Sequence, residues 1–242
     1  VGCTKRRARH QCRAMPDTQR LGQDLTPLRQ MAKGAVRSPN IWDHPATYEI
    51  ENHAFDRLGL VTALLTDVAD WTERAVLDIG AGTGFHLPLF AKTAKSVVGV
   101  EPNSDLVAIG ERRIRRLTNA EIRLGSATDL PLHDHSIEMM HARWAYFFGP
   151  GCEPGLRELD RVMARGGVAT IIDNDPTTST FGGWFRRGYP RVDPIAVERF
   201  WSLHGWQRHP VLTAWDFDTR ADFEAVVKIE FDQQTASAII KA

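Results

Sequence analysis

The residues best placed to do chemistry sit in "LDIGAGTG", residues 77–84, where Asp78 stands two positions before Gly80 and is followed by Gly82 and Gly84. Glycines let a ligand approach the backbone closely, and the acid puts a carboxylate just behind them. A second acid, Glu101, closes the apolar run "SVVGVEP", a position from which a carboxylate chelates ribose hydroxyls. A dinucleotide loop would read G-x-G-x-x-G, but Phe85 stands where its third glycine would fall. Asp78 would repel a pyrophosphate and attract an ammonium group. The bland alternative is a tight strand-to-helix turn with no ligand.

A ligand with an ammonium group, a ribose and no phosphate is S-adenosylmethionine. The chain also resembles a known family. "VLDIGAGTG", "VVGVEPN", "GSATDLPLHDHSIEMMHA" and "LRELDRVMARGGVATIID" occur in the order and spacing of class I (Rossmann-like) S-adenosylmethionine-dependent methyltransferases, over about residues 42 to 218. The "DLP" turn and the Arg161–Gly167 segment are similar to the small-molecule subgroup. The resemblance implies that Asp78 orients the loop and the methionine amino group, while Gly80, Ala81, Gly82 and Gly84 lie along the cofactor. It implies that Glu101 holds the ribose, that Pro102 lies against the adenine, and that His141 sits near the methionine moiety. The family's adenine-binding Asp is replaced by Ser126 in "GSATDLP", which shifts recognition toward the Ala127 amide or toward Asp129. The implied product is S-adenosylhomocysteine.

Methyl transfer from a sulfonium is an in-line displacement whose rate depends largely on positioning, with a base needed only if the acceptor must lose a proton. His141, Arg143 and Asp173 are the candidates for acceptor contact or proton removal, and Arg143 suits an acidic substrate group or a pairing with Asp173 or Asp175. "HARWAYFF" replaces the Asn/Asp-Pro-Pro-Tyr signature of amide and exocyclic amine methylation, which counts against DNA adenine or glutamine as acceptor. Trp42, Asp43 and Tyr48 are expected to close over the cofactor. Gly182, Gly183, Trp184 and Phe185 have the composition of a mobile lid.

These residues need elements to hold them. Strands are expected at "RAVLDIG", "SVVGVEP", "AEIRLGSA", "SIEMMHA" and "GVATIID", with Gly166 and Gly167 turning into the last, and a sixth at "HPVLTAWDF". Helices alternate with them. The lead-in carries Leu58, Val61, Leu64, Leu65 and Val68, and later helices start at Asn103–Asp105, at Asp193-Pro194 and at the Thr219/Asp222 capping pair. Alternation of this kind gives an α/β fold, a doubly wound, mainly parallel sheet with helices on both faces. Ligands of such sheets bind beyond the carboxyl ends of the strands. The family's final antiparallel strand has no counterpart after residue 218, so it is expected to be missing or the chain truncated.

Residues 1–40 carry nine Lys/Arg against Asp17 and Asp24, within a chain of 30 basic and 30 acidic residues. The reading is a basic, disordered tail (1–40) and a single domain (41–242): a helical lead-in (41–72), a cofactor-binding core (73–175), and a lid with the C-terminal part (176–242). Three scattered cysteines and no metal-ligand spacing imply a reducing compartment, the cytoplasm, and no metal. No apolar run approaches the roughly 18 residues of a membrane helix, so no membrane partner is expected. The expected activity is methyl transfer to a small-molecule acceptor. The alternatives are an RNA or protein methyltransferase holding its target with the tail, a non-catalytic S-adenosylmethionine-binding protein, and, disfavoured by Asp78, a nicotinamide enzyme.

Overall fold

A computed structural model of the protein describes residues 30–242. Three helices lead in: α1 (Pro39–Asp43), α2 (Pro45–Ala54) and α3 (Leu60–Val68). The core then alternates β1 (Ala75–Ile79), α4 (Leu87–Phe90), β2 (Ser96–Glu101), α5 (Ser104–Ile114), β3 (Ala120–Leu124), β4 (Ile137–Arg143), α6 (Glu153–Val162) and β5 (Met163–Ile172). Four helices complete the described chain: α7 (Ser179–Gly188), α8 (Pro194–Leu203), α9 (Arg220–Glu230) and α10 (Gln233–Lys241).

The five strands form one parallel sheet in the order β3-β2-β1-β4-β5. β1 and β2 are buried on both faces because nearly every residue in them is apolar. Pairing sets Leu77 between Val98 and Met140, and Asp78 between Gly99 and His141. Strand order reverses at β1, so the crevice opens beyond the ends of β1 and β4. Two apolar clusters form the core. One gathers Leu77, Ile79, Met140 and Phe147 under α6 and Phe200 of α8; the other gathers Val76, Leu87, Phe90 and Met139 under α3, α4 and α5. A third, around Val227, Phe231 and Ile239, joins α7, α9 and α10.

The helix starts follow their capping residues. Asn103 accepts from the Asp105 amide, Asp193 from those of Ile195 and Ala196, and Thr219 from that of Asp222. Arg161 donates to Glu158, Asp134 and the carbonyls of Leu130 and Leu132, so this arginine ties the turn before β4 to α6.

Several expectations are corrected. "HPVLTAWDF" forms no sheet strand; its one bridge joins Trp215 to Phe55, and Val211 and Leu212 lie exposed, so no burial supports a strand there. Gly166 and Gly167 lie inside β5, where the register jumps from Ile137–Met163 to Met139–Val168. Leu58 stands outside the lead-in helices and is exposed. The stretch with the composition of a mobile lid is itself helical, and α7 sends Phe181 and Trp184 into the third cluster. Of the expected tail, residues 1–29 lie outside the described residues. Residues 30–38, largely exposed, are tied to the domain by backbone contacts: the Ala32 amide bonds to Pro102 O and a bridge joins Met31 to Asn103.

Candidate functional site

A cavity of about 260 Å³ opens at the switch point. Its floor is the loop from Asp78 to Thr83. Gly80, Gly82 and Gly84 all take the left-handed conformation, with φ of 71°, 55° and 75°. A Cβ on Gly80 would collide with that of Ala145, in the loop after β4. Gly84 does not line the cavity; a Cβ there would come within 3.2 Å of the Gly110 Cα in α5, so its bareness serves the packing of helix on loop.

Asp78 is buried. One carboxylate oxygen lies 2.7 Å from His141 Nδ1, and the other has no partner. An unsatisfied buried carboxylate oxygen is costly, and a cationic donor entering the cavity would relieve it. Glu101 is also buried. Its oxygens accept from the amides of Gly82 (2.9 Å) and Asn103 (3.0 Å), which leaves further lone pairs toward the cavity. Burial pushes its carboxyl up to about 7, against the pull of those two amides.

The expected cofactor residues Asp78, Gly80, Ala81, Gly82, Glu101, Pro102, Ser126 and Ala127 line this one cavity. Ser126 is already engaged: its hydroxyl donates to Lys33 O at 2.7 Å, beside Thr128 Oγ1 at 3.1 Å. Asp129 lies outside the cavity, on a neighbouring depression. His141 is 1% exposed and stands behind Asp78 without reaching the cavity wall. Its Nε2 has no partner. Asp173 is exposed, accepts from the Asn174 amide at 2.7 Å and does not line the cavity; Asp175 pairs with Arg208 at 2.6 Å. Arg143 alone of the three candidate catalytic residues lines it, and it donates to Asn52 Oδ1, not to either aspartate.

Trp42 and Tyr48 line the cavity; Asp43 does not, but it accepts from Arg37, which does. Sequence reasoning missed the segment Gly34–Ser38, together with Ile41, Asn52 and His86. His86 contacts the His141 ring at a centroid separation of 4.7 Å. Its pKa falls well below the ordinary value, first through burial and then through Arg143, His141 and Arg113, so it is neutral at neutral pH. Its position seven residues past the end of β1 was no signal in itself. Asp78, His86 and His141 hold ligand atoms within 4.8 Å of one another. The hydrogen bond between Asp78 and His141 occupies one atom of each, so the trio is a bonded pair with a neighbouring imidazole.

A family model described as a methyltransferase domain matches residues 77–171. The uncharacterized methyltransferase YcgJ of Bacillus subtilis (strain 168) is 28% identical over 56% of this chain and 54% of its own. The ubiquinone/menaquinone biosynthesis C-methyltransferase UbiE of Rubrivivax gelatinosus is 28% identical over 58% of this chain and 49% of its own. The demethylmenaquinone methyltransferase of Staphylococcus carnosus is 22% identical over 63% and 65%. The chain thus spans about half to two thirds of the curated relatives it matches. Among solved structures, the YcgJ protein superposes with a TM-score of 0.55 at 20% identity, over 74% of this chain and 81% of the other. A SAM-dependent methyltransferase of Aquifex aeolicus gives 0.53 at 19%, over 71% and 94%. At these identities the superpositions establish the shared fold.

Proposed function

This chain carries, at residues 77–171, a methyltransferase domain of the class I S-adenosylmethionine-dependent family, and from that premise we propose that the protein transfers a methyl group to a small-molecule acceptor. The observation that carries the reading is the placement of two buried carboxylates, Asp78 and Glu101, on either side of a left-handed glycine loop in one cavity. The unpartnered oxygen of Asp78 suits an ammonium group, and Glu101 has lone pairs for a pair of ribose hydroxyls. Pro102 and the Ala127 amide remain for the adenine, since Ser126 is committed to Lys33. S-adenosylmethionine, when bound, supplies a methyl on a positively charged sulfur.

The chain's own residues bind and orient. His141 receives no ligand directly; it fixes the Asp78 carboxylate and so acts as a positioning residue. Arg143, His86, Tyr48 and Asn52 form the wall left for the acceptor. Two relatives are named for methylation in quinone biosynthesis or of demethylmenaquinone, which supports a small molecule as the acceptor. No described helix is long and apolar enough to cross a membrane.

Calorimetry with S-adenosylmethionine, S-adenosylhomocysteine and NAD tests the reading. Binding of the first two and not of NAD is expected. Binding of NAD alone would refute it.

A further inference from the structure

Arg143, the last residue of β4, is a half-buried cation with no carboxylate beside it among the described residues. Its guanidinium carbon lies 4.6 Å from the Trp144 ring centroid, 5.3 Å from that of Phe55 and 5.8 Å from that of Phe85. Its one hydrogen bond goes to Asn52 Oδ1, a neutral acceptor. Among the described residues no carboxylate lies within ion-pair distance of it.

The acidic groups that act on it from farther away are Tyr48 first, a neutral phenol whose pKa burial holds well above its ordinary value, and then the carboxyls Glu51, Asp78 and Glu49. Glu49 pairs with Arg113 at 2.6 Å, and Asp78 is bonded to His141. Burial, reinforced by Glu230, holds Glu51 toward its neutral form. Three aromatic rings crowd the half-buried guanidinium, and among the described residues no carboxylate takes the place of the water they exclude. Such a cation is expensive to bury unless something completes its shell, and cation–π contacts offset only part of the cost. Arg143 lines the cavity, so the remaining donors of its planar fork are open to a ligand there.

A guanidinium fork matches a carboxylate or another delocalised oxyanion better than it matches any neutral group. The adjoining wall is flat and aromatic, made by Phe85, Trp144 and Tyr48. We infer that the acceptor of the proposed methyl transfer is a small planar acid, whose carboxylate or ionised phenolic oxygen is received by Arg143 while its ring lies against these aromatics. The inference rests on the methyltransferase reading for the role of the ligand, and on the Arg143 geometry alone for its charge.

The test titrates benzoate, the three hydroxybenzoates and phenol, each acid against its uncharged benzamide, into protein saturated with S-adenosylhomocysteine. At least one acid should bind about tenfold or more tighter than its amide. Phenol binding that strengthens as its hydroxyl ionises would assign the fork to the phenolate; preference confined to the benzoates would assign it to the carboxylate. Arg143→Met should abolish the discrimination and Arg143→Lys should keep part of it, with S-adenosylhomocysteine affinity within about threefold of wild type in both. Equal binding of acids and amides by wild type overturns the inference even if Arg143→Met fails to fold, and so does failure of every acid to bind. Loss of S-adenosylhomocysteine affinity in the variants, without acid discrimination in wild type, would instead assign Arg143 to the carboxylate of the methyl donor. If wild type does not bind S-adenosylhomocysteine at all, it is the methyltransferase reading that fails.

Discussion

Glu101 is the cavity acid that titrates near neutral pH: burial, with a smaller push from Asp78 and against the pull of two amides, moves its carboxyl to about 7. Hydroxyl donors prefer the ionised form, so S-adenosylhomocysteine should bind about tenfold more weakly at pH 6 than at pH 8. Calorimetry across that range should show the rise in wild type and a flat profile in Glu101→Gln. Stability runs the other way. The folded-state value lies above the unfolded one, so the folded protein holds the extra proton between them, and this group's contribution declines as pH rises from the ordinary carboxylate value through about 7. Glu101→Ala should weaken the ligand by roughly 10- to 100-fold, the loss of one or two charge-assisted hydrogen bonds. His141→Ala removes the partner of a buried carboxylate and leaves Asp78 unsatisfied on both oxygens. It should lower both thermal stability and cofactor affinity, whereas His141→Asn should restore part of the affinity by supplying a donor.

At the scale of elements, the glycine loop succeeds because its backbone adopts a shape other residues resist. Gly80 and Gly59 have nearly the same φ, 71° and 69°, but a Cβ on Gly59 meets nothing within 4 Å whereas one on Gly80 strikes Ala145. Both alanine variants carry the cost of the left-handed backbone, about 1–2 kcal/mol. Gly80→Ala adds an overpacking cost of about 1–3 kcal/mol and displaces the loop after β4. Denaturant unfolding should therefore rank Gly80→Ala well below Gly59→Ala, and only the former should lose cofactor binding. Equal losses would show that the contact with Ala145 is unimportant. The capping residues of α5, α8 and α9 were legible in the sequence because an N-cap is a local interaction, complete within three residues. The strand expected at 209–217 was not, since an apolar run becomes a strand only where a neighbouring edge and a buried face await it.

Across the whole molecule, the lead-in helix α2 meets α9 at a pair of acids, the buried Glu51 and the half-buried Glu230. Glu51 lies against Glu230, which also accepts from Asn40 Nδ2 at 2.7 Å, and one Glu51 oxygen has no partner. Burial first, then each other's proximity, raises the Glu51 carboxyl well above its ordinary value, and Tyr48, Tyr189 and Arg143 share the neighbourhood. The raised value means that the pair stabilises the docking while protonated and weakens it as pH rises above the ordinary carboxylate range. Melting temperatures measured from pH 6 to pH 9 should fall more in wild type than in Glu51→Gln, which keeps the shape without the charge. Because α2 also carries Tyr48 and Asn52, the same rise in pH should loosen the wall of the cavity.

The sequence by itself determined the α/β order, the place of the loop, and the pairing of Asp78 with Glu101 as the cavity's two acids. Each of those is written in short stretches: apolar runs that must be strands, glycines that must turn, acids at strand ends. Only the tertiary structure decided what those groups face. It brought His141 to Asp78 by parallel pairing of strands 63 residues apart, and it committed the Ser126 hydroxyl to a carbonyl 93 residues away. It folded Gly34–Ser38 along the cavity and set Arg143 among three aromatic rings instead of beside Asp173. These depend on which helix packs over which strand, a choice made by the summed burial of the whole core and not by any local run of residues.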